Sequence, residues 1–172
     1  MKTVKTLLVV LGAVVLVSCA SVNVPRPAGA LTVAPREVLA EPDRYAASLV
    51  QWGGSIITTK NLPNGTQLEV LAYPLNGSGK PRTGESPAGR FIAFSPSFLD
   101  PLEYRSGRLV TVSGRIRGLV AAKVGEADYR YPEVEVESLF LWPRVSAYSG
   151  VRPTIHLGVG SGGAFGGIGI GF

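Results

Sequence analysis

A single cysteine and a single histidine stand in 172 residues. One thiol cannot form an internal disulfide, so any fold must be stable without one. One imidazole leaves the chain without the clustered histidines of a typical metal site and without a triad base in its body. His156 falls in a glycine-rich tail and reads as an exposed tail residue. Charge is scarce too, at 17% of residues, and the formal +5 overstates its sign. Between Ala20 and Trp142, 13 Lys and Arg stand against 12 Asp and Glu. A nucleic-acid-binding domain shows a basic stripe, and this body shows none. Long apolar runs are lacking as well. The run Thr6–Val17 falls short of the about 20 residues that span a bilayer as a helix.

That run carries its own message. Lys2 and Lys5 precede it, and Leu16-Val17-Ser18-Cys19 ends it. A basic start, a short apolar stretch and a small residue are the parts of an export signal. With the cysteine placed after Leu-Val-Ser, the segment resembles a bacterial lipoprotein signal. In such signals the chain is cut between the residues that are here Ser18 and Cys19. The Cys19 sulfur carries diacylglycerol, and its amino group is then acylated. A thiolate is the nucleophile this step needs. Several acyl chains anchor firmly where one holds only marginally. Ala20, in place of an Asp, resembles the sorting signal for the outer membrane. The expected organisation is a signal peptide over 1–18, a lipidated tether over 19–34, a folded domain over 35–143 and a glycine-rich tail over 144–172. Pro25, Pro27 and Gly29 oppose regular structure in the tether.

The domain contains an internal repeat. Residues 41–56 read EPDRYAASLVQWGGSI and residues 100–116 read DPLEYRSGRLVTVSGRI. Each copy is an acid, Pro, two residues and Tyr, then an alternating apolar stretch through a glycine to an isoleucine. The second copy holds one extra residue at about Gly107. The pattern predicts a proline-initiated turn or short helix feeding a strand of period two. Glycine at the third inward position marks a bulge or bend. Further strands are expected at 67–73, 91–94 and 133–142, the first introduced by the turn pair Asn64-Gly65. A long loop spans 74–90. Short helices are expected at Pro35–Ala40 and near Pro96–Tyr104. On the last strand, Val134, Val136, Phe140 and Trp142 share the inward parity, and Glu133, Glu135 and Glu137 the outward one. Arg115 and Arg117 also point outward, so neighbouring Arg and Glu rows would pair and set register. The sum is an all-β domain with short helices. It reads as a small OB-like barrel or, alternatively, a β-sandwich.

Several segments together resemble the Slp family of outer-membrane lipoproteins. They are Trp52-Gly53-Gly54 with Ile56, Leu68-Glu69-Val70 before Pro74-Leu75, and Gly89-Arg90-Phe91. Phe98-Leu-Asp-Pro101 with Tyr104, Gly107-Arg-Leu-Val-Thr-Val-Ser-Gly114 and Gly125 follow. Tyr129-Arg-Tyr-Pro132 and Leu141-Trp142-Pro143 complete the set. The resemblance covers roughly 35–143 and the signal. It implies a lipid-anchored envelope protein of Gram-negative bacteria, linked with starvation, on the periplasmic side of the outer membrane, with no established enzymatic activity. The tail is not part of it.

No constellation in the body points to catalysis. Glu133, Glu135 and Glu137 alternate as a solvated or Arg-paired face. Glu41 and Asp100 precede prolines as caps. Gly77-Ser-Gly79-Lys80 lacks the spacing and context of a phosphate loop. The expectation is a non-enzyme without metal or cofactor beyond the lipid on Cys19. It would act through an envelope partner, with no nucleic acid. The alternative is a small-molecule or glycan-binding module with an aromatic platform. The candidate surface is Tyr129, Arg130, Tyr131 and Trp52, although Trp and Tyr are also ordinary core residues. The uncharged tail 158–172 admits three readings: a flexible glycine-rich segment, an apolar contact, or a strand with Ala164, Ile168, Ile170 and Phe172 alternating with glycine.

Overall fold

The two copies of the repeat pair with each other. A computed structural model describes residues 22–124, 127–144, 153–160 and 163–170. The signal segment, with Ser18 and Cys19, lies outside the described residues. The first repeat lies in β1 (Leu49–Leu62) and the second in β4 (Leu109–Val124). They run antiparallel with Val50 facing Gly114, Trp52 facing Val112 and Gly54 facing Val110. A local twofold therefore passes through the Trp52–Val112 pair. The flanking hydrogen bonds obey it. Ala47 N–H donates to Ile116 O at 3.0 Å and Gly107 N–H to Ile56 O at 2.9 Å. Ile116 N–H donates to Ser48 O at 3.0 Å and Ile56 N–H to Arg108 O at 2.9 Å. Even the left-handed residue repeats, at Ala47 (φ 57°) and Gly107 (φ 83°).

β2 (Gly65–Tyr73), β3 (Gly89–Ser95) and β5 (Ala127–Leu141) complete a ring in the order β1-β2-β3-β5-β4, closing back onto β1. β3 and β5 are parallel and the other neighbours antiparallel. This is the five-stranded OB-like arrangement, and the closed ring replaces the sandwich alternative. The repeat glycines stand where neighbouring backbones cross most closely. A Cβ on Gly54 would lie 1.9 Å from Leu71 O, and one on Gly114 1.9 Å from Glu135 O. Only a residue without a side chain fits there.

The core is aliphatic with two aromatic centres. Val50, Ile56, Leu68, Val70, Val110, Val112 and Val134 point inward with Trp52 and Phe91. Trp52 meets Phe91 edge-on at 5.1 Å. Helix α1 (Pro35–Ala40) starts at a proline and buries Val38 in this core. At its start Ala34 N–H donates to the Glu37 carboxylate at 3.3 Å. Leu99 and Tyr104 of the β3–β4 connection pack against the same core.

Four details differ from expectation. Pro96–Tyr104 forms a turn rather than a helix: Asp100 accepts Leu102 N–H on its carboxylate and Glu103 and Tyr104 N–H on its carbonyl, a single turn that no helix continues. Glu41 forms no cap; its carboxylate pairs with Arg44 at 2.9 Å. On β5 the register shifts where Gly114 faces Val136 and Ser113 faces Ser138. Glu137 is the extra residue of that bulge, so parity flips after it. Leu139 and Leu141 pack against the core, and Trp142 lies outside that cluster. The expected Arg–Glu rows are present all the same. Arg115 meets Glu137 at 3.2 Å, and Arg117 meets Glu135 at 3.8 Å and Glu133 at 3.9 Å.

The fourth detail is at the two ends of the domain. Residues 24–33 lie along the barrel wall instead of hanging free as a tether. Val24 N–H donates to Ser78 O at 2.9 Å, Gln51 Nε2 to Pro25 O at 3.0 Å, and Leu31 bridges Val50 in parallel. Within the tail, β6 (Pro153–Gly160) and β7 (Gly163–Ile170) form an antiparallel hairpin, where a flexible segment was the first expectation. The glycine–apolar alternation has the period of a strand.

Candidate functional site

The four residues proposed from sequence do not form one surface. Trp52 is 5% exposed, points into the barrel and donates its indole N–H to Val33 O at 2.6 Å. Tyr131 is 1% exposed. Tyr129 meets it edge-on at 4.7 Å on the β5 arm, whereas Arg130, exposed, takes the opposite parity. Their shared neighbourhood is a polar cluster on the outer wall over β2, β3 and β5. One Glu69 carboxylate oxygen accepts Arg90 Nη1 at 2.8 Å and the Tyr131 hydroxyl at 3.0 Å. Burial first, and then the Glu69 carboxylate, hold the Tyr131 phenol above its usual pKa, with Arg90 opposing. All three groups are mutually satisfied, which is the signature of a structural lock rather than an open site.

Trp142 is likewise covered. It lies beneath the 74–88 loop, with its indole N–H donating to Thr111 Oγ1 at 2.9 Å and Phe140 edge-on at 4.9 Å. Thr111 in turn donates to Gly79 O at 2.7 Å and so pins the loop to the barrel. Asn76 organises that loop by accepting from Ser78 N–H, Ser78 Oγ and Lys80 N–H.

Among the described residues, the open grooves include two that carry charged side chains. The first, about 330 Å³, lies between the docked N-terminal segment with α1 and the wall made by β1, β2 and Pro74-Leu75. Trp52 and Leu75 give it apolar surface, and Arg26, Arg36, Glu37 and Gln51 supply polar groups. The second, about 380 Å³, holds Lys80, Arg105, Arg108 and Arg144 beside Trp142. Neither was legible in the sequence, because each is assembled from segments far apart in the chain. Among the described residues no buried side-chain nitrogen or oxygen lacks a hydrogen-bond partner. Nor do three His, Cys, Asp or Glu residues among them come together in a way that could hold a metal ion.

Relatives agree with the sequence resemblance. The chain is 34% identical over 105 residues to the uncharacterised lipoprotein YeaY of Escherichia coli, a span that is 61% of this chain and 54% of that one. It is 30% identical over 102 residues to the outer membrane protein Slp of E. coli, 59% of this chain and 54% of that one. An uncharacterised Haemophilus influenzae protein matches at 33% over 114 residues, 66% of this chain and 62% of that one. The chain thus spans between 54% and 62% of the length of the curated relatives it matches. The model of the outer membrane lipoprotein Slp family matches residues 16–158, from inside the signal segment through β5 and into β6. This protein belongs to the outer membrane lipoprotein Slp family.

Proposed function

We propose that this protein is a non-catalytic binding module, held at the periplasmic face of the outer membrane by lipid on Cys19. A protein partner would dock in the groove beside α1. The observation that carries the reading is the groove itself. Its volume of about 330 Å³ and its mixture of apolar wall with Arg26, Arg36 and Glu37 suit a side chain or short segment of a partner. A glycan platform needs an exposed aromatic face, and Trp52 and Trp142 are each 5% exposed. A role in starvation or stress belongs to the same reading and rests on the family resemblance.

A photo-crosslinking residue in place of Arg36, introduced in intact cells, tests the site. The expected result is a discrete adduct that is absent when the crosslinker replaces Arg44, which lies outside the groove. Ala88→Trp, which fills the groove, should abolish the adduct. The same adduct from Arg44, or one indifferent to Ala88→Trp, would sink the proposal. Anchoring is tested separately by fractionation, where Cys19→Ser should leave the outer membrane.

A further inference from the structure

We infer that the groove formed by Lys80, Arg105, Arg108 and Arg144 docks on the phosphate headgroups of an anionic membrane surface. Four cations line it and no carboxylate does. Elsewhere Arg44, Arg82, Arg90, Arg115 and Arg117 each meet a glutamate. Among the described residues none of the four groove cations has such a partner. Arg108 donates only to backbone, to Glu103 O and Trp142 O, each at 3.0 Å. These bonds hold it in place without cancelling its charge. Lys80 Nζ stands 5.7 Å over the Trp142 ring, which orients it as well.

The position of the groove follows from how the chain leaves the barrel. The first docked contact is Val24 N–H to Ser78 O, and a Cβ on Gly79 would lie 2.4 Å from Val24 O. Lys80 is the next residue. Cys19 precedes Val24 by five residues, which reach at most about 18 Å when fully extended. A lipid on Cys19 therefore confines this side of the barrel to the neighbourhood of the headgroups. That step rests on the anchoring proposed above, whereas the charge argument does not. The β3–β4 connection that carries Arg105 also bears Phe98 and Leu102, 72% and 80% exposed, a composition suited to an interface. Each cation near an anionic surface changes the docked-to-free ratio about fivefold.

The test uses acylated protein purified in detergent and reconstituted through its own lipid. Its Cys19 sulfur is then blocked, so Ser106→Cys provides one labelling site at the groove. A fluorophore there is quenched by a headgroup-attached quencher, in vesicles of phosphatidylcholine alone or mixed with phosphatidylglycerol. Stronger quenching in the anionic vesicles is expected, falling at high salt. Lys80→Glu with Arg105→Glu and Arg144→Glu should remove the difference, and Arg44→Glu should not. Arg105→Gln alone should lower the docked-to-free ratio about fivefold, and an unchanged melting curve shows that each variant is folded. Equal quenching in both vesicle types would overturn the inference, as would an unaffected triple variant. Loss of the difference on adding inorganic phosphate at constant ionic strength would also overturn it, marking a site for free phosphate instead. Failure of Cys19 anchoring appears independently, as protein that does not stay with vesicles of either composition.

Discussion

Gly114→Ala should be among the most damaging single methyl additions to this barrel. The added Cβ would sit 1.9 Å from Glu135 O and 2.9 Å from both the Glu135 carbonyl carbon and Val134 Cγ1. Ordinary contact begins near 3.4 Å, and the obstruction is backbone rather than a flexible side-chain end. β5 would have to retreat from β4 by about 1.5 Å, in a core that tolerates overpacking at a cost of about 1–3 kcal/mol. The retreat also stretches the ladder on either side, where Arg115 faces Glu135 and Ile116 faces Val134. Each weakened hydrogen bond costs about 1 kcal/mol. The sum is about 3–5 kcal/mol, against a total stability of about 5–15 kcal/mol for a domain. A melt followed by circular dichroism should fall by about 12–30 °C. Gly54→Ala, which meets Leu71 O at 1.9 Å across the local twofold, should cost a similar amount. Gly77→Ala, with nothing within 4 Å, is the control and should change stability little. A Gly114→Ala protein melting within a few degrees of wild type would refute the claim that close backbone approach demands glycine there.

Three further outcomes follow from the same structure. Ala47 holds φ 57° where its repeat counterpart is Gly107 at φ 83°; Ala47→Gly should raise stability and Gly107→Ala lower it, each by about 1 kcal/mol, in denaturant titrations. Tyr131 has its pKa raised in the folded state, chiefly by burial; that contribution is complete below the ordinary phenol value of about 10 and is lost as pH rises through the folded value. Melting temperature should therefore fall in the alkaline range, and Tyr131→Phe should show a smaller alkaline fall. A chain ending at Pro143 keeps all five strands of the closed ring and should retain one cooperative melt, loss of which would assign the tail a part in folding.

The sequence by itself determined the elements whose causes are local. Alternation in the two repeats placed the strands through Trp52 and Val112, Pro35 placed α1, and the Arg and Glu rows pointed to the β4–β5 pairing in which Arg115 faces Glu135. Glycine at Gly54 and Gly114 announced a constraint, since no other residue gives up its side chain at two matched positions. Its nature, a neighbouring carbonyl where the Cβ would be, needed the ring to close. The bulge at Glu137 was invisible because period two carries no mark of a skipped pair, so Phe140 and Trp142 read as inward when Leu139 and Leu141 are. The docked segment around Val24 looked like a tether because its hydrogen bonds go to Ser78 and Gln51, far along the chain, and not to its own neighbours. Both grooves share that origin. Arg108 meets the end of β5 through Trp142 O, and Lys80 joins Arg105, Arg108 and Arg144 because the 74–88 loop folds over Trp142. Short-range propensity sets what each segment is, and barrel closure decides which segments meet and which charges are left facing water.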